Sequence, residues 1–215
     1  MKKIILAGIF TLWLFPGLAY AQANQRSTAG QKEMTENMKR YFAGETRAAW
    51  FAMGLGLASL AGGGLLASRS QNFSRGLGYP LLVLGLLEVS VGAGLYLRTG
   101  PQVENLEKQI VDDPRGYKTL EAERMRKVNS RWLIINIIEA LVFSAGTGTA
   151  VIASKNNNDL FTGVGISVAT QAVILFVFDH FAEARALIYE MNIETFTIAL
   201  SNAEILQGLS FSHNF

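Results

Sequence analysis

Residues 77–97, "LGYPLLVLGLLEVSVGAGLYL", contain a single charged side chain, that of Glu88. An α-helix rises about 1.5 Å per residue, so about 20 apolar residues cross the roughly 30 Å hydrocarbon core of a bilayer. Three further runs of similar length and composition lie at 48–67, 132–153 and 160–178. The sequence therefore predicts an all-α membrane protein with four transmembrane helices.

The composition of the whole chain agrees with this prediction. Half of the 215 residues are hydrophobic and 17% are charged, which is less charge than a soluble domain usually carries. The net charge of +2 and the lack of a dense Lys/Arg cluster argue against a nucleic-acid partner, so membrane lipid is the partner that we expect. The alternative, a soluble bundle, would have to bury helices that are apolar all round.

The four apolar runs are predicted to form two antiparallel hairpins. The first hairpin covers 48–97 with its turn at 68–76, and the second covers 132–178 with its turn at 154–159. Short turns of this kind join antiparallel neighbours. A longer charged segment, 98–131, connects the two hairpins.

Three polar segments, 22–47, 98–131 and 179–194, place apolar residues at near-helical intervals. Amphipathic helices need partners for their apolar stripes, so we expect these segments to extend the transmembrane helices into a four-helix bundle outside the membrane. Gly100-Pro101 and Asp113-Pro114 predict breaks in the connecting segment, because proline disfavours a helical conformation of the residue before it.

The two ends of the chain differ from the rest. Residues 1–21 are typical of a secretory signal peptide, with Lys2 and Lys3 before an apolar stretch and Ala19-Tyr20-Ala21 as a cleavage site. An uncleaved anchor is the alternative, for which the apolar stretch is short. The tail 195–215 alternates polar and apolar residues, which predicts a short irregular or strand-like segment.

The signal peptide predicts a bacterial inner-membrane protein whose mature N-terminus and C-terminus are both periplasmic. The positive-inside tendency opposes this orientation, because the segment 98–131 would lie outside with eight Lys or Arg residues. We give the signal peptide precedence, because its cleavage site is a more specific feature than a statistical charge bias.

Polar side chains are predicted at comparable depth on three of the four spans. They are Glu88, Glu139, Asn136 and Gln171. At 1.5 Å per residue, Glu88 lies about 16 Å from Leu77, and Glu139 lies about 10 Å from Trp132. We expect these side chains to face the bundle interior and to bond one another, because an ionised group at mid-membrane costs about 3 kcal/mol on insertion scales.

The function of this polar group has two interpretations. No Lys or Arg lies within any of the four runs, so we expect at least one of Glu88 and Glu139 to be protonated at neutral pH. The group is either a polar clasp that fixes helix register or a proton or cation site, since intramembrane acids often mark such pathways.

A second charged group is predicted at the outer membrane edge. Its members are Arg98, Arg131, Asp179, His180 and Glu183. We expect salt bridges between the arginines and the carboxylates. His180 and Glu183 share a helix face, but a ferritin-type site needs Glu-x-x-His on two helices. With two histidines, no cysteine and no nucleophile motif, the sequence predicts no metal, no cofactor and no catalytic residue.

Small residues are expected to form the contacts between spans, because helices in lipid associate by close packing. The pairs with four-residue spacing are Ala58 with Gly62 and Gly146 with Ala150. The two hairpins also share features 87 residues apart, such as Gly76 and Gly163. This spacing indicates either a parallel repeat of one hairpin or only the shared composition of membrane segments.

The sequence favours a structural or protein-interaction role over catalysis. The helices outside the membrane offer a surface for a protein partner or for a second copy of the chain. The alternative is a proton- or cation-handling module that uses Glu88 and Glu139. An exposed apolar stripe on the outer helices would favour the first role, and a water-accessible cavity that reaches Glu88 would favour the second.

Overall fold

The structure is a computed structural model that describes the backbone of residues 3–196 and the side chains of residues 29–196. It contains five helices and, within these residues, no β-strand. The helices are α1 (Lys3–Ala67), α2 (Asn72–Asp112), α3 (Pro114–Asn129), α4 (Trp132–Lys155) and α5 (Asp159–Thr195). Four helical segments are long and apolar enough to cross a membrane, so the prediction of an all-α, multi-pass membrane protein is confirmed at this level.

Helices α1 and α2 pack antiparallel along a seam of small residues. A Cβ added at Gly56 would lie 2.6 Å from the carbonyl oxygen of Gly85, and one at Gly63 would lie 2.9 Å from that of Gly78. The seven-residue spacing on each helix keeps one face against the partner, and the lack of side chains lets the backbones approach. The expected pair Ala58 and Gly62 lies off this seam, with open space beside Gly62.

Helix α4 packs chiefly against α5, along a single line of residues. Gly146 fits against Gly165 and Ala169 of α5, as its four-residue spacing from Ala150 predicted. Only Glu139, Gly146 and Ala153 of α4 are buried, and they are spaced seven residues apart. The other faces of α4 are exposed, which suits a helix that borders lipid.

Helices α2 and α5 run parallel and occupy the middle of the span region. Gly76 contacts Gly163, and the hydroxyl of Ser167 donates to the carbonyl of Leu77 at 3.0 Å. The spans therefore lie in the order α1, α2, α5, α4, with additional contact between α1 and α5. Duplication of one hairpin stays a prediction.

Beyond the spans, α1, α2, α3 and α5 pack around a common core, which we call the polar-end core. Its buried residues come from the polar halves of all four helices, and α4 contributes none. They are Met34, Met38, Tyr41, Phe42, Leu106, Ile110, Tyr117, Ala122, Met125, Ala186, Tyr189, Ile193 and Phe196. This is the best-packed part of the described chain, because most span residues face outwards.

The break expected at Gly100-Pro101 is wrong, because α2 continues through Pro101 to Asp112. The break at Asp113-Pro114 is confirmed, since Asp113 accepts a hydrogen bond from the N–H of Gly116 at 2.9 Å and begins α3. The two hairpin turns are shorter than expected, at residues 68–71 and 156–158.

The predictions for the two ends of the chain remain untested. Helix α1 is continuous through the expected cleavage site at residue 21, and a continuous helix does not show whether residues 1–21 are removed. Helix α5 ends at Thr195. The expected strand-like tail from residue 197 onwards lies outside the described residues.

Candidate functional site

Glu88 belongs to a polar group that joins three helices at the middle of the spans. The hydroxyl of Ser59 on α1 donates to Oε2 of Glu88 on α2 at 3.3 Å. The side-chain amide of Gln171 on α5 donates to the hydroxyl of Ser59 at 2.9 Å. We call these three residues the three-helix clasp, because each comes from a different helix.

The three-helix clasp is closed off from its surroundings. Glu88 is 7% exposed and Gln171 is 2% exposed. One carboxyl oxygen of Glu88 and the amide oxygen of Gln171 have no hydrogen-bond partner in the structure. The groove beside the clasp, about 320 Å³ in volume, is lined mainly by leucine and isoleucine side chains. The geometry therefore resembles a buried pin between helices more than a water-filled path.

The sequence analysis predicted that Glu88 and Gln171 belong to one polar group, but it did not predict that Ser59 belongs to it. Serine is common in helices that pack closely in membranes, so a single hydroxyl in a membrane run is an unremarkable feature. The signal that could have found it is its position between Gly56 and Gly63, one turn from each, on the face that packs against α2.

Glu139 and Asn136 form a second group instead of joining Glu88. The carboxyl of Glu139 is adjacent to that of Asp179, and the amide of Asn136 donates to Glu183 at 3.4 Å. Asp179 is eight residues from Gln171, about 12 Å along α5. The structure differs from the prediction because Asn136, one turn into α4, lies alongside Glu183, so α4 begins further out along α5 than the expected membrane edge.

The salt bridges expected at the outer edge do not form among the described residues. Arg98 lies 3.9 Å from Glu45 of α1 instead, because α1 is the neighbour of α2 at that level. Arg131 is exposed between α3 and α4, and His180 is exposed on α5. Within residues 29–196 no group of three His, Cys, Asp or Glu residues is arranged to hold a metal ion.

A polar network lies inside the polar-end core, and the sequence did not indicate it. The hydroxyls of Tyr117 and Tyr189 are 2.9 Å apart, and Tyr189 donates to Glu121 at 3.0 Å. Glu121, only 3% exposed, also accepts two hydrogen bonds of 2.7 Å from Arg124. The hydrogen bonds of Tyr189 to Tyr117 and Glu121 hold α5 against α3, and the bidentate pair within α3 fixes the carboxylate of Glu121.

The electrostatics of this network keep its tyrosines neutral and its arginine charged. Burial raises the pKa of Tyr189, and the charge of Glu121 raises it further. Burial also raises the pKa of Tyr117. Burial is the largest single influence and acts to lower the pKa of Arg124, but the hydrogen bonds to Glu121 and the charge of Glu121 together outweigh it, so the pKa is raised. The arrangement is that of a satisfied structural network.

An apolar stripe is exposed along the polar half of α5. It consists of Phe181, Ala184, Ile188 and Met191, and we call it the α5 stripe. The spacing of three or four residues places the four side chains on one helix face. The same face continues into the span through the exposed Val173 and Val177.

Comparisons with protein-family models, curated proteins and solved structures gave no match. The function proposed for this chain accordingly rests on its geometry.

Proposed function

We propose that the protein has a structural or protein-interaction role in the bacterial inner membrane, with the α5 stripe as its partner-binding surface. The observation that carries this proposal is the exposure of Phe181, Ile188 and Met191, which all follow the predicted span 160–178. Met191 lies 13 residues past Phe178, about 20 Å along the helix. Apolar patches at that distance from the hydrocarbon are typical of binding surfaces.

The shape of the α5 stripe supports a partner helix that crosses the membrane beside α5. Because the same face of α5 is apolar at Val173 and Val177 inside the span, one straight helix could cover both parts. Full burial of a Phe, Ile or Met side chain contributes about 1.5–3 kcal/mol outside the membrane. The partner is either another membrane protein or a second copy of this chain.

The orientation that we propose places the polar-end core in the periplasm, with residues 1–21 removed as a signal peptide and both mature ends on the periplasmic side. Its support is the signal-like sequence at the N-terminus. In this orientation the two hairpin turns face the cytoplasm.

Site-specific photo-cross-linking in intact membranes tests the proposed interface. A photoreactive amino acid at Ile188 is expected to give one discrete adduct, whereas the same group at the exposed Glu123 of α3 is not. An adduct of twice the mass of the chain without residues 1–21 identifies a second copy, and another mass identifies a different protein. The charged variant Ile188→Asp should remove the adduct formed from position 181, and an unchanged adduct would contradict the proposal.

A second candidate function is proton handling, and the contact between Glu139 and Asp179 favours it. Two adjacent carboxyls without an ion pair to Lys or Arg among the described residues are most stable when they share a proton. In liposomes with an entrapped pH dye, Glu139→Gln should then slow proton movement, as should Glu88→Gln, while Glu183→Gln should not. Equal rates of proton movement in all variants would contradict proton handling and leave Glu88 with the role of fixing the register between helices.

A further inference from the structure

A cleft opens between α1 and α2 just beyond the spans, which we call the α1–α2 cleft. Its volume is about 500 Å³, and its lining includes Lys39, Ala43 and Thr46 of α1 and Tyr96 and Gly100 of α2. Unlike the groove beside the three-helix clasp, the α1–α2 cleft has a substantial share of polar lining atoms.

The α1–α2 cleft exists because larger residues replace the glycines of the seam between α1 and α2 just beyond the spans. The positions that continue the seam of glycines are Phe42 and Thr99, both buried. Phe42 turns into the polar-end core, so it separates the helices without filling the space on the other side. Ala43 and Gly100 line that space, Ala43 with only a methyl group and Gly100 with no side chain, and a Cβ added at Gly100 would have no neighbouring atom within 4 Å.

Two polar groups of residues that line the α1–α2 cleft could bind a ligand, one because it has no helical donor and one because its ion pair is exposed. Pro101 has no N–H, so the carbonyl of Leu97 has no α-helical hydrogen-bond donor. The ammonium of Lys39 pairs with Glu107 at 2.6 Å, but both side chains are about half exposed. Exposed pairs of this kind contribute little, so the ammonium of Lys39 remains able to bind an anion in the cleft.

The α1–α2 cleft begins at the expected membrane surface and extends through the headgroup region of one leaflet. Trp50 and Tyr96 make an edge-to-face contact at 5.3 Å, both largely exposed, as is typical of aromatic anchors at the membrane surface. Val103, at the far end of the cleft, lies seven residues past Tyr96, about 10 Å along α2. The headgroup region of one leaflet is about 5–8 Å thick.

We propose that the α1–α2 cleft binds the headgroup of a glycerophospholipid that carries hydrogen-bond donors. The phosphate binds the ammonium of Lys39, and a headgroup ammonium or hydroxyl donates to the carbonyl of Leu97. Ethanolamine and glycerol headgroups supply such donors, whereas the quaternary ammonium of choline has none. The site is independent of the α5 stripe, because it lies between two other helices.

Lipid titration of the purified, delipidated full-length protein tests this proposal. Phosphatidylethanolamine, phosphatidylglycerol and phosphatidylcholine with identical acyl chains are added in detergent, and retention is measured by native mass spectrometry. The first two should bind about tenfold more tightly than the third, the factor that one good hydrogen bond contributes. Equal retention of all three lipids would overturn the proposal, and so would equally tight binding of free glycerol phosphate.

Two matched pairs of variants locate the binding in the cleft. Ala43→Leu fills the cleft and should remove the preference for the donor-bearing lipids, whereas Ala61→Leu, at an exposed alanine of α1 outside the cleft, should keep it. Lys39→Gln should weaken retention, whereas Glu107→Gln removes the same ion pair but leaves the ammonium and should not. A preference that survives both Ala43→Leu and Lys39→Gln would contradict the assigned site.

Discussion

At the scale of single residues, Glu88 shows how a membrane helix tolerates a carboxyl group without a cation. Its partners, Ser59 and Gln171, come from two other helices, so the hydrogen bonds form only when α1, α2 and α5 have assembled. Interhelical hydrogen bonds in membranes are individually weak, about 0.6 kcal/mol on average. The three-helix clasp therefore selects a register more than it adds stability.

A double-mutant cycle with Ser59→Ala and Gln171→Leu tests this view. We expect a coupling free energy of about 0.6 kcal/mol, and no more than about 1.7 kcal/mol, from denaturation in mixed micelles. A coupling near zero would show that the hydrogen bond between the two side chains is absent in the membrane.

The network around Glu121 should contribute more to the free energy of unfolding than the three-helix clasp does, because it contains a buried charge. Glu121→Gln leaves Arg124, whose side chain is 31% exposed, without its carboxylate, and the loss of hydrogen bonds to a charged group costs about 1.5–3 kcal/mol. Glu123→Gln on the same helix removes only an exposed pair with Lys127, so it should change the free energy of unfolding little. Equal effects of the two substitutions would contradict the role of Glu121.

The same network predicts a loss of stability in alkali. Because the pKa of Tyr189 is raised in the folded protein, its contribution is complete below about pH 10, the ordinary pKa of tyrosine, and is lost as the pH rises further. Thermal unfolding measured from pH 8 to 11.5 should show a falling midpoint above pH 10. In the variant Tyr189→Phe the unfolding midpoint should fall less steeply with pH. The same slope in both proteins would count against this explanation.

At the scale of elements, the attachment of α4 along one line is the most distinctive feature. A side chain at Gly146 would enter the backbone of α5, with its Cβ 2.7 Å from the amide nitrogen of Ala169. Gly148, two residues along the same helix, has open space around it. The contact of α4 with the rest of the molecule should therefore be sensitive to one glycine and indifferent to the other.

Gly146→Leu should lower the free energy of unfolding by about 1–3 kcal/mol, the range for overpacked contacts. Gly148→Leu serves as its control and should be close to the unchanged protein in the same micelle denaturation assay. If the two variants unfold alike, α4 does not pack against α5 through this face.

The elements were largely predictable from sequence, whereas their contacts were not. Hydrophobic length gives each span directly, and Asp113-Pro114 gives the boundary before α3. The break predicted at Gly100-Pro101 was wrong because packing on both sides of Pro101 maintains the helix despite one missing hydrogen bond. The partner of Glu139 was unpredictable because the register between α4 and α5 is set by the fit of Gly146 against Gly165, which depends on both helices together.

At the scale of the whole molecule, the chain has two regions with different packing. The spans contact one another along lines of small residues, and the polar-end core is filled by large buried side chains from four helices. The polar-end core is therefore expected to be the more stable region in detergent. Its side of the membrane determines which partners the α5 stripe can reach.

Cysteine labelling in intact cells tests the proposed orientation, and the chain has no cysteine of its own. Lys108→Cys, in the exposed polar half of α2, should react with a membrane-impermeant maleimide. Ser70→Cys, in the first hairpin turn, should react only after the cells are lysed. The reverse pattern would place the polar-end core in the cytoplasm, as the positive-inside tendency favours.

The continuity of α5 gives the molecule the mechanics of a lever. It extends without proline from the hydrocarbon to Thr195, roughly 25 Å past Phe178. A bilayer that becomes thinner or thicker changes the tilt of the helices that cross it. A tilt of about 10° moves the distal end of α5 sideways by about 4 Å. The thickness of the surrounding lipid therefore determines the lateral position of the Thr195 end of this helix.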